Sequence, residues 1–276
     1  MKNYTSKEQL INQAFQLHLK GNISDAAKYY QKSINQGCID NRVFSNYGAI
    51  LKDLGKLKEA EVYTRKAIEL NPKYAVGYSN LGVVLKDLGK LKEAELYTRK
   101  AIELNPNMAM AYSNLGSIMR DLSKLKEAEV YTRKAIELNP NFAIAYSNLG
   151  NILKELGKLK EAESHIRKAI EINSDFALAY FTLSTFTLSQ KNKKFFNQLF
   201  AKNLLTNKSN KDKVSIYFAR ANILHKESNF KESSKYLQLG NNIKCQLNPS
   251  NYEYLINKSK ELLFESSQKS VKLEEL

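Results

Sequence analysis

The sequence predicts an all-α fold, a solenoid of stacked helix-turn-helix hairpins, on three observations. First, the phrase LKDLGKLKEAEVYTRKAIELNP at Leu51 returns at Leu85 with Val62 changed to Leu96, at Met119 as MRDLSKLKEAEVYTRKAIELNP, and at Leu153 as LKELGKLKEAESHIRKAIEINS, each time 34 residues on. A fixed period of this size is the mark of stacked structural units. Second, apolar residues inside each unit recur at i, i+3, i+4 and i+7, the spacing of one helix face. Third, Gly and Pro punctuate every unit at the same joints.

Taking the elements in order, residues 1–40 form a degenerate N-terminal unit, with Leu10, Ala14, Leu17, Gly21, Ala26 and Tyr30 in register with the phrase. Residues 41–176 hold four regular units, Asn41 to Tyr74, Ala75 to Met108, Ala109 to Phe142 and Ala143 to Phe176. In the second, Tyr78, Leu81, Gly82 and Leu85 make the face of a first helix, and Leu91, Ala94, Thr98, Ala101 and Ile102 that of another. Gly89 between them suits the left-handed backbone that ends a helix. Pro72, Pro106 and Pro140 are expected in the first turn of the helix that follows, where the missing N–H costs nothing. Gly82 and Ala94 let the two backbones approach closely, so a larger residue at 82 is expected to overpack the crossing. Residues 177–213 read as an irregular unit with a longer loop around TNKSNKDK, residues 214–247 as a divergent unit beginning at Val214, and residues 248–276 as a closing helix with a tail that frays after Ser266. One hairpin cannot bury its own apolar face, so each unit depends on its neighbours.

The order Tyr78, Leu81-Gly82, Leu85, Ala94, Ala101, Pro106 resembles the tetratricopeptide repeat. Thr64, Thr98 and Thr132 depart from it where that family usually carries an aromatic, and Ser174 stands in the proline position. The resemblance implies a right-handed α-α superhelix whose concave groove is lined by the first helix of every unit, with a C-terminal capping helix. It also implies a protein-protein interaction scaffold that binds an extended peptide.

Bulk properties set the remaining bounds. The formal net charge is +15, made of +2 over residues 1–40, +5 over 41–176, +9 over 177–248 and −1 over the rest. The first twenty residues carry a polar side chain every few positions and are not expected to act as a signal-type leader, and no apolar run of the sequence is long enough to span a bilayer. Two cysteines, Cys38 and Cys245, are too few for a disulfide framework or a zinc ribbon. These features suggest a bacterial cytoplasmic protein with no membrane span, whose oligomeric state the sequence leaves open.

On the first helices, the face not needed for hairpin packing reads Ser79, Asn80, Val83, Lys86 and Asp87, with the same pattern 34 residues either side. The candidate groove residues are Asn12, Asn46, Asn80, Asn114, Asn148 and Asn151, together with Lys52, Lys86, Arg120 and Lys154. An asparagine amide offers donors and an acceptor, which suits the backbone of an extended peptide. Similar ladders in the repeat arms of some glycosyltransferases hold peptide. The competing reading is that the amides bond between units, and the charges beside them read as a solvated face. A clamp for a terminal carboxylate is not expected, because Ser45 and Ser79 stand where its lysines belong.

No catalytic site, cofactor site or metal site emerges. His18 replaces the groove lysine, His165 replaces a tyrosine and His225 is remote from both, so no metal spacing arises. The Gly-Lys at Gly89 lacks a phosphate-loop frame. The alternative function is binding of nucleic acid or another polyanion through residues 177–248, where lysines interleave with Phe195, Phe196 and Phe200 as in single-strand binders. The plainer reading makes those rings core. A further alternative comes from Lys213 to Lys244, which resembles the repeat preceding a sulfotransferase domain, implying a non-catalytic arm of such an enzyme or of a glycosyltransferase.

Overall fold

The computed structural model describes residues 7–186 and 192–247. Among these, fourteen α-helices and a short 3-10 turn account for the regular structure, and no strand occurs. The helices are α1 (Lys7–Leu19), α2 (Ile23–Asn35), α3 (Asn41–Asp53), α4 (Leu57–Leu70), α5 (Ala75–Asp87), α6 (Leu91–Leu104) and α7 (Ala109–Asp121). They continue as α8 (Leu125–Leu138), α9 (Ala143–Glu155), α10 (Leu159–Ile172), α11 (Ala177–Ser184), α12 (Lys193–Leu199), α13 (Asn210–Lys226) and α14 (Phe230–Leu247). The expected closing helix lies outside the described residues. The chain divides into two compact units, Met1–Ala162 and Glu163–Leu276, a boundary that falls inside α10.

In the first unit, α3 packs on α4, α5 on α6 and α7 on α8, and each second helix then packs on the first helix of the next repeat. The first helices also touch in series, α3 with α5, α5 with α7 and α7 with α9. Each hairpin therefore has two partners, and the helical faces predicted to be apolar are the ones buried. Leu81, Leu85 and Ala94 form one cluster with Leu115, Met119 and Ala128 from the following repeat.

The hairpin crossing is tighter than Gly and Ala alone imply. A Cβ placed on Gly82 would lie 2.1 Å from Thr98 Oγ1 and 3.3 Å from the Ala94 carbonyl oxygen. Gly116 meets Thr132 Oγ1 at the same 2.1 Å, and Gly48 meets Thr64 Cγ2 at 2.6 Å. The threonines that depart from the tetratricopeptide pattern are thus the residues seated against the glycines. Each is fully buried.

The turns follow two rules. Gly55, Gly89 and Gly157 close the first helices with φ of 79°, 77° and 76°, a left-handed backbone that suits glycine. The third repeat places Ser123 there, at φ 62°. Replacing Ser123 by glycine is expected to stabilise the protein by about 1 kcal/mol, since an L-residue pays roughly that much in this region. A chemical denaturation midpoint that stayed put or fell would contradict it. At the other joint, Pro72, Pro106 and Pro140 sit in the connecting turn ahead of the next helix, not within its first turn as expected. The preceding asparagines explain this: Asn71, Asn105 and Asn139 each accept from the backbone N–H two residues on, at 3.0, 3.2 and 3.1 Å. Asn173 does the same for Asp175 at 3.0 Å although Ser174 replaces proline, so the side-chain turn does not require the ring.

On the second helices, Arg65 bridges Glu61 and Glu93 and donates to the Tyr97 hydroxyl at 2.9 Å. Arg99 donates to Tyr131 likewise, and Arg133 joins Glu129 to Glu161. Lys90 and Lys158 add a second cation to Glu61 and Glu129. Burial opposes the charge on Glu61, but Lys90 and Arg65 outweigh it and hold the carboxyl below its ordinary range.

In the second unit, α11 is short and α13 begins at Asn210, ahead of the predicted start at Val214. Ser209 caps it, its Oγ accepting from the Asp212 N–H at 3.1 Å, so half of the expected loop is helix. Ser233 on α14 donates to the Ala221 carbonyl at 2.9 Å.

Candidate functional site

The first helices carry the candidate residues, and their packing decides what each can do. Ser45, Ser79, Ser113 and Ser147, predicted on the open face, are buried. The reason is the contact between successive first helices, which needs a small residue at that register and leaves the neighbouring asparagine at its edge. Asn80 Nδ2 donates to Ser45 Oγ at 2.9 Å, Asn114 to Ser79 and Asn148 to Ser113, both at 3.0 Å. The ladder of amides is thus a set of bonds between repeats. Ser147 Oγ is buried without a hydrogen-bond partner among the described residues, and Thr182 rather than asparagine stands next in register.

Each such amide gives one N–H to its serine and retains a second N–H and the carbonyl oxygen. Asn80 and Asn114, half-buried, line a cleft of about 220 Å³ together with Lys52, Val83, Met110 and Ile144. Met110 and Ile144 are 46% and 50% exposed, and Val76 holds the same register one repeat earlier at 37%. An apolar row therefore runs beside the amide row. Sequence reading did not single it out, although a hydrophobic residue one step past the start of three consecutive first helices was its signal.

The charged candidates pair with the acids predicted beside them. Lys52 lies 3.0 Å from Asp53, and Arg120 lies 3.0 Å from Asp121. Lys86 reaches Asp87 at 3.5 Å and Asp121 of the next repeat at 3.9 Å, while Arg120 reaches Glu155 at 3.8 Å. This edge of the cleft is close to neutral. Asn151 and Lys154 also have interaction partners. Asn12 is exposed on α1, and the structure does not bring it into the cleft.

Asn46 differs from the other amides. Ile11 occupies the register of the serines, and Asn46 Nδ2 donates instead to the Tyr30 hydroxyl at 3.3 Å. His18 Nδ1 lies 3.2 Å from the same oxygen. Burial lowers the His18 pKa, with Asp53 acting weakly against it, and burial pushes the Tyr30 phenol up to about 12.

In the basic segment, Phe195 and Phe196 are 2% and 9% exposed, so these two rings serve as core. Lys208 Nζ bonds the Asp175 carbonyl at 3.0 Å and its carboxylate at 3.3 Å. Lys226 donates to the Ser184 carbonyl at 2.6 Å and to that of Phe186. Lys194 lies 3.2 Å from Glu171. Asn222, which sequence reading passed over, donates to Ser184 Oγ at 3.0 Å, repeating the amide-to-serine bond in the second unit. Among the described residues, no three His, Cys, Asp or Glu side chains are grouped as metal ligands, and no helix is long and apolar enough to cross a membrane.

Two sequence profiles, both described as tetratricopeptide repeat, match the chain, one over residues 75–108 and 143–176 and the other over 42–74 and 109–142. No curated protein matches it. Among solved structures, a tetratricopeptide repeat protein of Parabacteroides merdae ATCC 43184 is 18% identical, with a TM-score of 0.58 covering 86% of this chain and 93% of that one. TTC0263, a thermophilic TPR protein in Thermus thermophilus, is 18% identical with a TM-score of 0.58, over 71% of this chain and 100% of its own. A chain of the APC/C hetero-tetramer Cut9-Hcn1 is 14% identical with a TM-score of 0.64, over 84% of this chain and 44% of that one. At such identities the likeness is one of fold. Repeats of this kind act as protein-interaction scaffolds, and the matches support that general role. They run unbroken from residue 42 to residue 176, and this stretch belongs to the tetratricopeptide-repeat family.

Proposed function

We propose that the first helices of the regular repeats dock an extended segment of a protein partner, held along its backbone by the asparagine amides. The observation that carries this reading is the cleft at Asn80 and Asn114. There, half-buried amides with unspent hydrogen-bonding capacity stand beside an exposed apolar row. Because the flanking charges are paired with each other, the segment that fits is uncharged, with apolar side chains over Val76, Met110 and Ile144. Neighbouring first helices lie about 8–10 Å apart and an extended chain advances about 3.3 Å per residue, so roughly every third residue of the segment faces an equivalent position.

The test separates the amide's structural bond from any contact with a partner. Peptides are selected from a displayed random library on the wild-type protein, and their affinities are measured by titration against two triple variants. One replaces Asn80, Asn114 and Asn148 by alanine. The other replaces Ser45, Ser79 and Ser113, which removes the same bonds but keeps the amides. Both variants are expected to lose about 1 kcal/mol of stability per bond. Only the asparagine variant is expected to lose peptide affinity, by tenfold or more. Equal losses in the two would make the amides structural and end the proposal.

A further inference from the structure

The degenerate first repeat breaks the repeated pattern at several positions that converge on one cavity. Phe15, His18, Leu19 and Tyr30 occupy the registers that hold Ala49, Lys52, Asp53 and Thr64 in the next repeat, and Arg42 holds that of Val76. All five line an open cavity of about 590 Å³, together with Asn46 and Tyr74. That volume lies within the range of small-molecule sites. The cavity owes its chemistry to departures from the repeat.

Its walls are rings. Phe15 and Tyr30 meet edge to face with centroids 5.7 Å apart, and His18 and Tyr30 do so at 5.9 Å. The Arg42 guanidinium covers Phe15 at 5.4 Å. Arg42 is also paired with Asp40, its Nη2 lying 2.6 Å from Oδ2, which removes the attraction for a free anion. Leu19, 82% exposed, forms an apolar lip. Ring edges and faces of this kind favour an aromatic guest over an aliphatic one.

The polar groups are ordered as well. Asn46 donates to the Tyr30 oxygen, and His18 Nδ1 lies 3.2 Å from the same atom, where it can accept the Tyr30 proton. A neutral imidazole that accepts at Nδ1 carries its proton on Nε2. In that tautomer His18 contributes an N–H donor and Asn46 a carbonyl acceptor, beside the Arg42 guanidinium and the Tyr74 hydroxyl in the same lining. A phenol, which accepts through its oxygen and donates its proton, complements the His18 donor and the Asn46 acceptor.

We propose that this cavity receives a tyrosine side chain of the partner, anchoring one end of the docked segment. The inference extends the docking role proposed above and rests on it. It is tested without a known partner by titrating the wild-type chain with N-acetyl-tyrosinamide, N-acetyl-phenylalaninamide, N-acetyl-leucinamide and p-cresol while following the His18 ring by NMR. The expected result is a saturable His18 shift at millimolar tyrosinamide, at least threefold weaker with phenylalaninamide and absent with leucinamide. Tyr30→Phe, which keeps the ring and removes the hydroxyl, is expected to erase the tyrosine-over-phenylalanine preference. Equal binding of the two aromatic amides, or no saturable shift with either, overturns the proposal. Tighter binding of p-cresol than of tyrosinamide gives the site to a small phenol, and Overhauser contacts from Tyr4 to His18 in the free protein give it to the chain's own segment. Either result also overturns it. If the phenol response is absent while the asparagine and serine variants still differ, the pocket falls and the docking role stands.

Discussion

Replacing Gly82 by leucine is expected to lower the stability of the protein by about 3 kcal/mol, the upper end for overpacking a buried contact. The first added carbon alone lies 2.1 Å from Thr98 Oγ1, and the Ala94 carbonyl 3.3 Å away is backbone that cannot rotate aside. The hairpin α5–α6 must therefore open. Because α5 also packs on α3 and α7, the opening is felt by both neighbouring repeats, as stability in stacked units is a sum of unit and interface terms. Chemical denaturation followed by circular dichroism measures the loss. Adding Thr98→Ala should recover a substantial part of it, since that removes the nearer obstacle. A double variant no more stable than Gly82→Leu alone would locate the strain elsewhere.

Replacing Arg220 by alanine is expected to be as damaging in the second unit, again by about 3 kcal/mol. Arg220 is 5% exposed. Its Nε donates to the Leu199 carbonyl at 2.9 Å and its Nη2 to that of Ala201 at 3.2 Å. The guanidinium also lies 5.6 and 5.5 Å from the Phe200 and Tyr236 ring centroids. One side chain thus ties the end of α12 to α13 and α14, where the irregular repeat has no full second helix to do so. Truncation strips the Leu199 carbonyl of this donor and leaves a void between two rings, both recognised sources of large losses. Hydrogen exchange in the full chain is the direct readout, because it reports local opening element by element. Amides of α13 and α14 should exchange about a hundredfold faster in Arg220→Ala, by the relation of about 1.4 kcal/mol to each factor of ten. Unchanged protection there would show that the α13–α14 contact suffices alone.

The asparagines show where legibility in the sequence stops. Their recurrence at 34 residues, and their place on the first helices, were plain. Their partners were not, because Ser79 and Asn80 are consecutive, about 100° apart around the helix, and both fall within the wide face left over from hairpin packing. Only the contact between successive first helices separates them, burying the serine and turning one amide N–H toward it. The phenylalanines of the basic segment carried a similar ambiguity. Interleaved lysines and rings fit a strand-binding surface or a core equally well until Phe195 and Phe196 are found buried.

The sequence by itself determined the repeat, its hairpins, the glycine turns and the apolar faces. All of these follow from local spacing and backbone preference, multiplied by near-exact repetition. The tertiary structure alone decided what crosses between elements. It seats the threonines against the glycines, ties the amides to buried serines, and gathers Phe15, His18, Tyr30 and Arg42 into one cavity. It also sends Arg220 to the carbonyls that end α12. Periodicity tells which face of a helix is apolar, but the reach and rotamer of each side chain across the interface depend on distances that exist only once the helices have packed.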